Sequence, residues 1–480
     1  MAATLISQAT VISLDPAIGT LPRADVLIED DRIVAVAPQL EVEAAQRVDG
    51  RGAILTPGFV DSHRHLWQTS LRGLCTNMST MEYMWGVRLH LANYVSAQDM
   101  YIATFVGALE ALNAGVTTVA GYEHNVSSPA DARAGISALA DAGIRSVYGM
   151  GLLIPRGRPG ELTGLADQRR LLEALGEEFC GADRLISLAV CPGEFMVSGT
   201  EGALAQYRLG RDLGVGITHH AAVVAGSGDE ISTLDAHGLL GPDVLLVHAN
   251  GAEDHHLELM ARAGASISVQ TEVEMGMVIG APSLVRLRAA GLAPTLGIDT
   301  VATNSGDMFA QMRLAFNVVC LAESQPLIDQ GLNPLRLTVD ASDALAWGTI
   351  NGARALGLDA EIGSISPGKQ ADLVLLRADG LTMAGWYEAD PAACVISQAS
   401  PGVVDSVWVA GRCVKRAGAM LLDTAEPLRR LNDSKAQILA RTPATPGVSG
   451  FRSVIPDPPP ELPLVALAEA DSSSSPSGRR

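Results

Sequence analysis

Lysine is nearly absent from this 480-residue chain: Lys369, Lys415 and Lys435 are the only ones, and none stands before position 369. Arginine carries almost all the positive charge, and acids outnumber bases to a formal net charge of −19. That balance argues against nucleic acid or anionic membrane as a partner, since either needs a basic surface, and leaves a small-molecule substrate as the expectation. No apolar run approaches the length of a membrane span, and no basic region followed by an apolar core opens the chain, so neither insertion nor secretion is expected. The six cysteines (Cys75, Cys180, Cys191, Cys320, Cys394, Cys413) include no close pair, which speaks against a disulfide framework and against a thiolate zinc site. A cytoplasmic protein with reduced thiols is expected. Charged residues are only 18% against 48% hydrophobic, the balance of a chain that buries a large core.

What is present changes texture along the chain. Residues 1–55 alternate short β-rich runs with turns (Thr4 to Ser7, Thr10 to Ser13, Ala24 to Ile28, Arg32 to Ala37). From 56 to 356 a short apolar strand, a loop and a helix repeat. Strands are predicted at Ile54 to Asp61, Val116 to Gly121, Ile144 to Gly149, Leu185 to Cys191, Val215 to His220, Val244 to His248, Ala265 to Gln270 and Pro294 to Asp299. Several intervening helices stop at glycine (Gly115, Gly143, Gly214, Gly264, Gly291), the usual C-terminal cap. Eight strands alternating with helices predict an α/β fold, a (β/α)8 TIM-like barrel. Residues 357–425 return to β texture, so the N- and C-terminal segments are expected to form one small β-sandwich beside the barrel. The remainder, 426–480, reads as a helix followed by a Pro- and Ser-rich tail expected to be partly disordered.

In such a barrel the chemistry collects at the C-terminal ends of the strands. His63 and His65 end the first strand, His219 and His220 the fifth, His248 the sixth and Asp299 the eighth. Strand alternation sends His63 and His65 to one face and Arg64 to the other, which makes a ready pair of ligands for a borderline divalent cation. His124, just past the second strand, could reach a substrate. Trp67 and Gln68, with Tyr83 and Trp85, lie in a long loop that suits a flat or apolar ligand over the barrel mouth, and Asn304 follows Asp299 at the rim.

Pro-Gly-Phe-Val-Asp-Ser-His-Arg-His at 57–65, Gly115-Val-Thr-Thr, Leu246-Val-His-Ala-Asn, Gly297-Ile-Asp299, Gly363-Ser-Ile-Ser-Pro-Gly-Lys-Gln-Ala-Asp372 and Val409-Ala-Gly-Arg412 resemble the amidohydrolase superfamily. The resemblance is to the branch containing cytosine deaminase, the adenosine-derivative deaminases and the triazine hydrolases, and it runs to about Leu422. It implies that His63, His65, a fifth-strand histidine and Asp299 hold a divalent metal, zinc first with iron or manganese as alternatives, which activates a water. His220 is preferred to His219 by its offset from Gly214, and only one of two adjacent residues can face the site. Binuclear relatives use a carbamylated barrel lysine; with none before Lys369, one metal is expected. Asp299 would take the proton of the water, and His248 would polarise the substrate or steady the tetrahedral intermediate.

One departure stands out. Deaminases of this branch carry a proton-shuttling glutamate three residues after the fifth-strand histidine, where this chain has Val223. Glu272 and Glu274 are the first candidates to replace it, with Glu194 and Glu123 behind them. The expected activity is therefore hydrolysis of a C–N bond in a nitrogen heterocycle or cyclic amide. The alternative is an atypical amidohydrolase of a specialised metabolite that releases no ammonia, and last comes an inactive structural barrel. The resemblance also implies a homo-oligomer, a dimer or a tetramer.

Overall fold

The structure is a computed structural model that describes residues 3–44, 46–151, 162, 164–181, 184–224 and 226–443. Eight parallel strands form one sheet: β1 (Phe59–Arg64), β2 (Val116–Glu123), β3 (Arg145–Gly151), β4 (Ile186–Cys191), β5 (Gly216–Ala221), β6 (Val244–His248), β7 (Ser266–Val269) and β8 (Thr295–Leu296). They lie in chain order, and a bridge between Arg64 and Asp299 brings the last strand back to the first, so the sheet curls into a nearly closed barrel. Helices between the strands pack outside it; Pro129–Ala142 and Thr200–Leu213 end at Gly143 and Gly214, where the sequence places their caps. The TIM-like barrel read from the alternation is the observed fold.

The two ends of the chain pair in a second sheet. Strand Leu373–Arg377 runs antiparallel to Ala53–Pro57, and further strands from both termini extend it to nine. Its apolar side forms a separate core with Ile6, Val26, Leu55, Leu373 and Trp408. Asp372 fastens this sheet to the barrel: its carboxylate accepts from both Nε and Nη2 of Arg145 on β3 at 3.1 and 2.9 Å, and from the Ala410 amide at 2.8 Å. That explains why the Lys369-Gln-Ala-Asp372 stretch carries sequence signal.

Two predicted elements differ. The runs Thr4 to Ser7 and Thr10 to Ser13 are one strand, Thr4–Ile12, interrupted by an irregularity where Gln8 adopts φ 61°. Conversely, the single strand predicted over Ile54 to Asp61 is two, Ala53–Pro57 in the terminal sheet and β1 in the barrel. Gly58 is the joint; a Cβ there would lie 2.1 Å from Thr117 Oγ1, so only glycine lets the chain pass between the sheets. Periodicity cannot show such a change of sheet, because both halves are equally apolar.

Candidate metal centre and active site

The barrel interior concentrates its imidazoles at the C-terminal strand ends. Along β1, His63 and His65 face inward while Arg64 turns outward and donates to Glu110 Oε2 at 2.6 Å. From β5, His220 brings its Nε2 within 3.2 Å of His63 Nε2. Its neighbour His219 points the other way, with Nδ1 2.8 Å from the Tyr207 hydroxyl in the outer layer. Asp299 completes the group: its Oδ1 stands 3.2 Å from His65 Nε2 and 3.6 Å from His63 Nε2. Backbone bonds lock these residues together, His65 N to Asp299 O at 2.7 Å and Asp299 N to His63 O at 2.9 Å. Gly297 permits that approach, since a Cβ there would stand 2.8 Å from His63 O.

The hydrogen-bond partners fix which ring nitrogens are free. His65 Nδ1 is 2.8 Å from the Tyr122 carbonyl, and His220 Nδ1 is 3.1 Å from Glu194 Oε1, so both Nδ1 atoms donate and both Nε2 atoms present bare lone pairs. Those lone pairs and a carboxylate oxygen converge with His63 on one small volume. The ligand atoms of His63, His65 and His220, and separately of His63, His248 and Asp299, lie within 4.8 Å of one another. Bare imidazole nitrogens facing each other repel unless a cation sits between them, and this N/O set suits a borderline divalent ion.

His248 enters from β6 by a backbone device. Leu246, on the outward face, packs with the helix layer, and alternation would send His248 outward too. Its φ of 73°, left-handed and unfavourable for a non-glycine residue, turns the ring inward, where Nε2 stands 3.6 Å from Asp299 Oδ2. Asp299 shows the same strain at φ 63°. Strained backbone at two residues of one cluster is typical of positions held for function. Glu274 lies behind His248, with Oε1 3.4 Å from Nδ1 and 2.9 Å from the Gln270 amide.

Charge follows this geometry. Burial disfavours ionisation of Asp299, but His63 and His65 outweigh it and hold the carboxyl well below its usual range. Glu194 is likewise held well down against its burial, by Arg88 at 2.6 Å and by His220. Burial pulls the His63 pKa down to about 3, which keeps that ring neutral and able to ligate. For His248 burial also acts downward, yet the Glu274 hydrogen bond and the Asp299 charge prevail and raise it, so this ring readily carries a second proton.

The other predicted residues fall in different places. Gln68 is fully buried and donates to the Tyr83 hydroxyl at 2.6 Å. His124 packs against both His65 and Trp67, its ring centroid 4.1 and 5.5 Å from theirs, and neither of its nitrogens has a partner among the described residues. Glu272 does not face the histidines; Asn304 and Gln311 both donate to its Oε2, at 3.3 and 2.8 Å. Asn304 is thereby turned to Glu272 and the Ile298 carbonyl. Glu123 is buried in the wall of β2 with neither oxygen partnered among the described residues, and burial pushes its pKa up to about 8. Val223, just after β5, is half-buried. Two residues escape sequence reasoning: Tyr122, whose ring stacks on His220 at 4.1 Å, and Arg88, which anchors Glu194. Tyr122 ends a strand, so its position was a usable signal. Arg88, at the end of a short π-helix, Met84–Arg88, is one arginine among many in the sequence.

Comparison with known proteins bears on the same residues. A sequence model of the amidohydrolase family matches residues 54–414. The chain is similar to the 5-methylthioadenosine/S-adenosylhomocysteine deaminase of Symbiobacterium thermophilum, at 28% identity over 427 residues that cover 85% of this chain and 93% of that protein. It is similar to the 5'-deoxyadenosine deaminase of Methanothermobacter thermautotrophicus at 28% identity over 418 residues, 84% of this chain and 91% of that one. Among solved structures, an adenosine deaminase from Xanthomonas campestris with bound zinc superposes with a TM-score of 0.80 at 23% identity, covering 91% and 98% of the two chains. An atrazine chlorohydrolase from Arthrobacter aurescens TC1 complexed with zinc gives 0.76 at 24% identity, covering 91% and 100%. These two likenesses show the shared fold.

Proposed function

The chain belongs to the amidohydrolase family and is a hydrolytic enzyme acting on C–N bonds, and we propose that it deaminates a nitrogen heterocycle, with adenine nucleoside derivatives as the first substrate class to test. The observation that carries the reading is the clustering of the ligand atoms of His63 with those of His65 and His220 and, separately, with those of His248 and Asp299, with His65 Nε2 3.2 Å from Asp299 Oδ1. His63, His65, His220 and Asp299 would hold one divalent ion, for which zinc is the first choice and iron or manganese the alternatives. Such an ion lowers the pKa of water toward neutrality and so supplies a nucleophile at working pH.

The remaining steps belong to this chain's side chains. Asp299, ionised by its histidine neighbours, accepts the proton of the attacking water. His248, with Glu274 holding Nδ1–H, presents Nε2–H to the substituent that departs. The carbon–nitrogen bond breaks, and the proton collected by Asp299 leaves on the nitrogen as ammonia. Glu194 fixes the tautomer of His220, and Arg88 fixes Glu194. Trp67 and His124 form the wall against which a flat ring lies.

The two sequence relatives named above are deaminases, and they give no support to the alternative in which no ammonia is released. An inactive barrel is disfavoured by the intact cluster. The protein, charged with zinc, is to be offered 5'-deoxyadenosine, methylthioadenosine and cytosine, with ammonia measured directly. Release from one of them is expected; release from none would defeat the heterocycle assignment.

The setting also belongs to this proposal. No helix among the described residues is long and apolar enough to cross a membrane. Six free cysteines favour a reducing, cytoplasmic location. Leu321, Leu327, Ile328, Leu332, Leu335 and Leu337 are all exposed within one stretch of chain, which favours a homo-oligomer.

A further inference from the structure

Apart from Glu123, which is buried and unpartnered in the wall of β2, the candidate acids around the cluster are already engaged. Glu194 sits behind His220, Glu274 behind His248, and Glu272 faces Asn304 and Gln311, while Asp299 belongs to the ligand group. As the water oxygen bonds to the ring carbon, negative charge gathers on a neighbouring heteroatom of the substrate, and that charge needs a donor other than these acids.

A chain of hydrogen bonds beginning beside Asp299 prepares one. Thr300 Oγ1 accepts from the Ala302 amide at 3.0 Å, so its own hydrogen goes to Gln68 Oε1 at 2.5 Å. That settles the orientation of the buried Gln68 amide, whose Nε2 then donates to the Tyr83 hydroxyl oxygen at 2.6 Å. The Tyr83 oxygen is thus supplied with a donor, and its own hydrogen meets no acceptor among the described residues. Tyr83 is a buried residue, the relay that reaches it starts at the residue following Asp299, and burial pushes its pKa up, so it stays protonated. A surface tyrosine would spend its hydrogen on water. This one is oriented by a relay of two fixed side chains and has its hydrogen unclaimed.

We propose that Tyr83 is a catalytic residue of this site, donating a hydrogen bond through its free hydrogen to the substrate heteroatom that becomes negative in the transition state. This rests on the hydrolytic reading above. Tyr83 keeps its proton throughout; the proton of the water passes to Asp299 and leaves on the departing nitrogen. Thr300 and Gln68 are positioning residues that act through it.

Tyr83→Phe in the zinc-loaded full-length protein tests the role, with kcat and KM measured on the nucleoside panel and on p-nitrophenyl acetate, an ester that a metal-activated water can attack without a natural substrate. The expected result is a fall in kcat of about 100-fold with KM changed less than threefold and zinc content unchanged. A kcat within threefold of the parent overturns the proposal. Ester turnover without nucleoside turnover would defeat the heterocycle assignment and still judge Tyr83; turnover of neither probe by the parent would overturn both. If Tyr83→Phe does not fold, 3-fluorotyrosine placed at 83 keeps the shape and makes the hydroxyl a stronger donor. Its rate should then differ from the parent, and its fluorine resonance should shift when the product of the hydrolysed probe is added. An unchanged rate and resonance overturn the proposal. Gln68→Leu, which frees the Tyr83 hydroxyl to rotate, should lower kcat about tenfold at constant zinc content.

Discussion

The two ends of the barrel are built from the same strands and do opposite work. At the N-terminal end the interior is small and apolar: Ala120, Val147 and Ala189 pack toward Leu356 and Leu358. A cavity of about 390 Å³ is left among them, lined also by Arg211 and Asp243. One inward step further along the same strands, Ala120 gives way to Tyr122 on β2 and Thr218 to His220 on β5. The apolar end tolerates imperfect filling because the charged groups on that cavity, Arg211 and Asp243, pair with each other at 2.9 Å. The polar end allows less slack, since the Nδ1 atoms of His65, His220 and His248 are each tied to a partner that leaves Nε2 turned to the cluster. The difference teaches that the barrel's stability and its chemistry are separable along the strand axis.

The sharpest break of the comparison is between adjacent residues. His220→Ala should abolish turnover, while His219→Ala should keep it within about threefold and instead lose about 1–3 kcal/mol of stability, because the Tyr207 hydroxyl is left unpaired; parallel rate and urea-unfolding measurements check both. Next in size, Glu194→Gln and Glu274→Gln should each lower metal affinity or kcat by about 10–100-fold, read by chelator competition and steady-state rates.

Glu123, on the wall between the two ends, offers a test through pH. Its folded-state pKa of about 8 lies above the ordinary 4.5, so the folded chain keeps a proton that the unfolded chain has released. Its contribution to stability is full below pH 4.5 and is lost as pH rises toward 8, at no more than about 1.4 kcal/mol per unit. Glu123→Gln should remove that part of the slope in unfolding measured from pH 5 to 8. The smallest effect belongs to the apolar end: Ala120→Val should move stability by about 1 kcal/mol or less and leave kcat unchanged.

Much of this was legible from residues alone. The helix-ending glycines and the apolar runs marked the barrel, and the His-x-His spacing, together with histidines at later strand ends, marked the cluster. The facing of His220 and not His219 followed from alternation and an offset. What could not be read depends on backbone turns and partners distant in sequence. The inward swing of His248 needs a left-handed φ at the end of β6, which no propensity signals. The passage from terminal sheet to barrel at Gly58 is set by a contact with Thr117. Glu272 and Glu274 are two residues apart in one short helix, Thr271–Gly276, yet one faces Gln311 and the other His248. The engagement of Arg88 with Glu194 spans 106 residues and appears only in the folded chain.

The central claim is that one divalent ion is held by His63, His65, His220 and Asp299. Metal content per chain, measured by plasma emission on the parent protein and on Asp299→Ala after dialysis, tests it most directly. The account predicts one equivalent in the parent and essentially none in the variant. Two equivalents in the parent, or one that survives in Asp299→Ala, would contradict it.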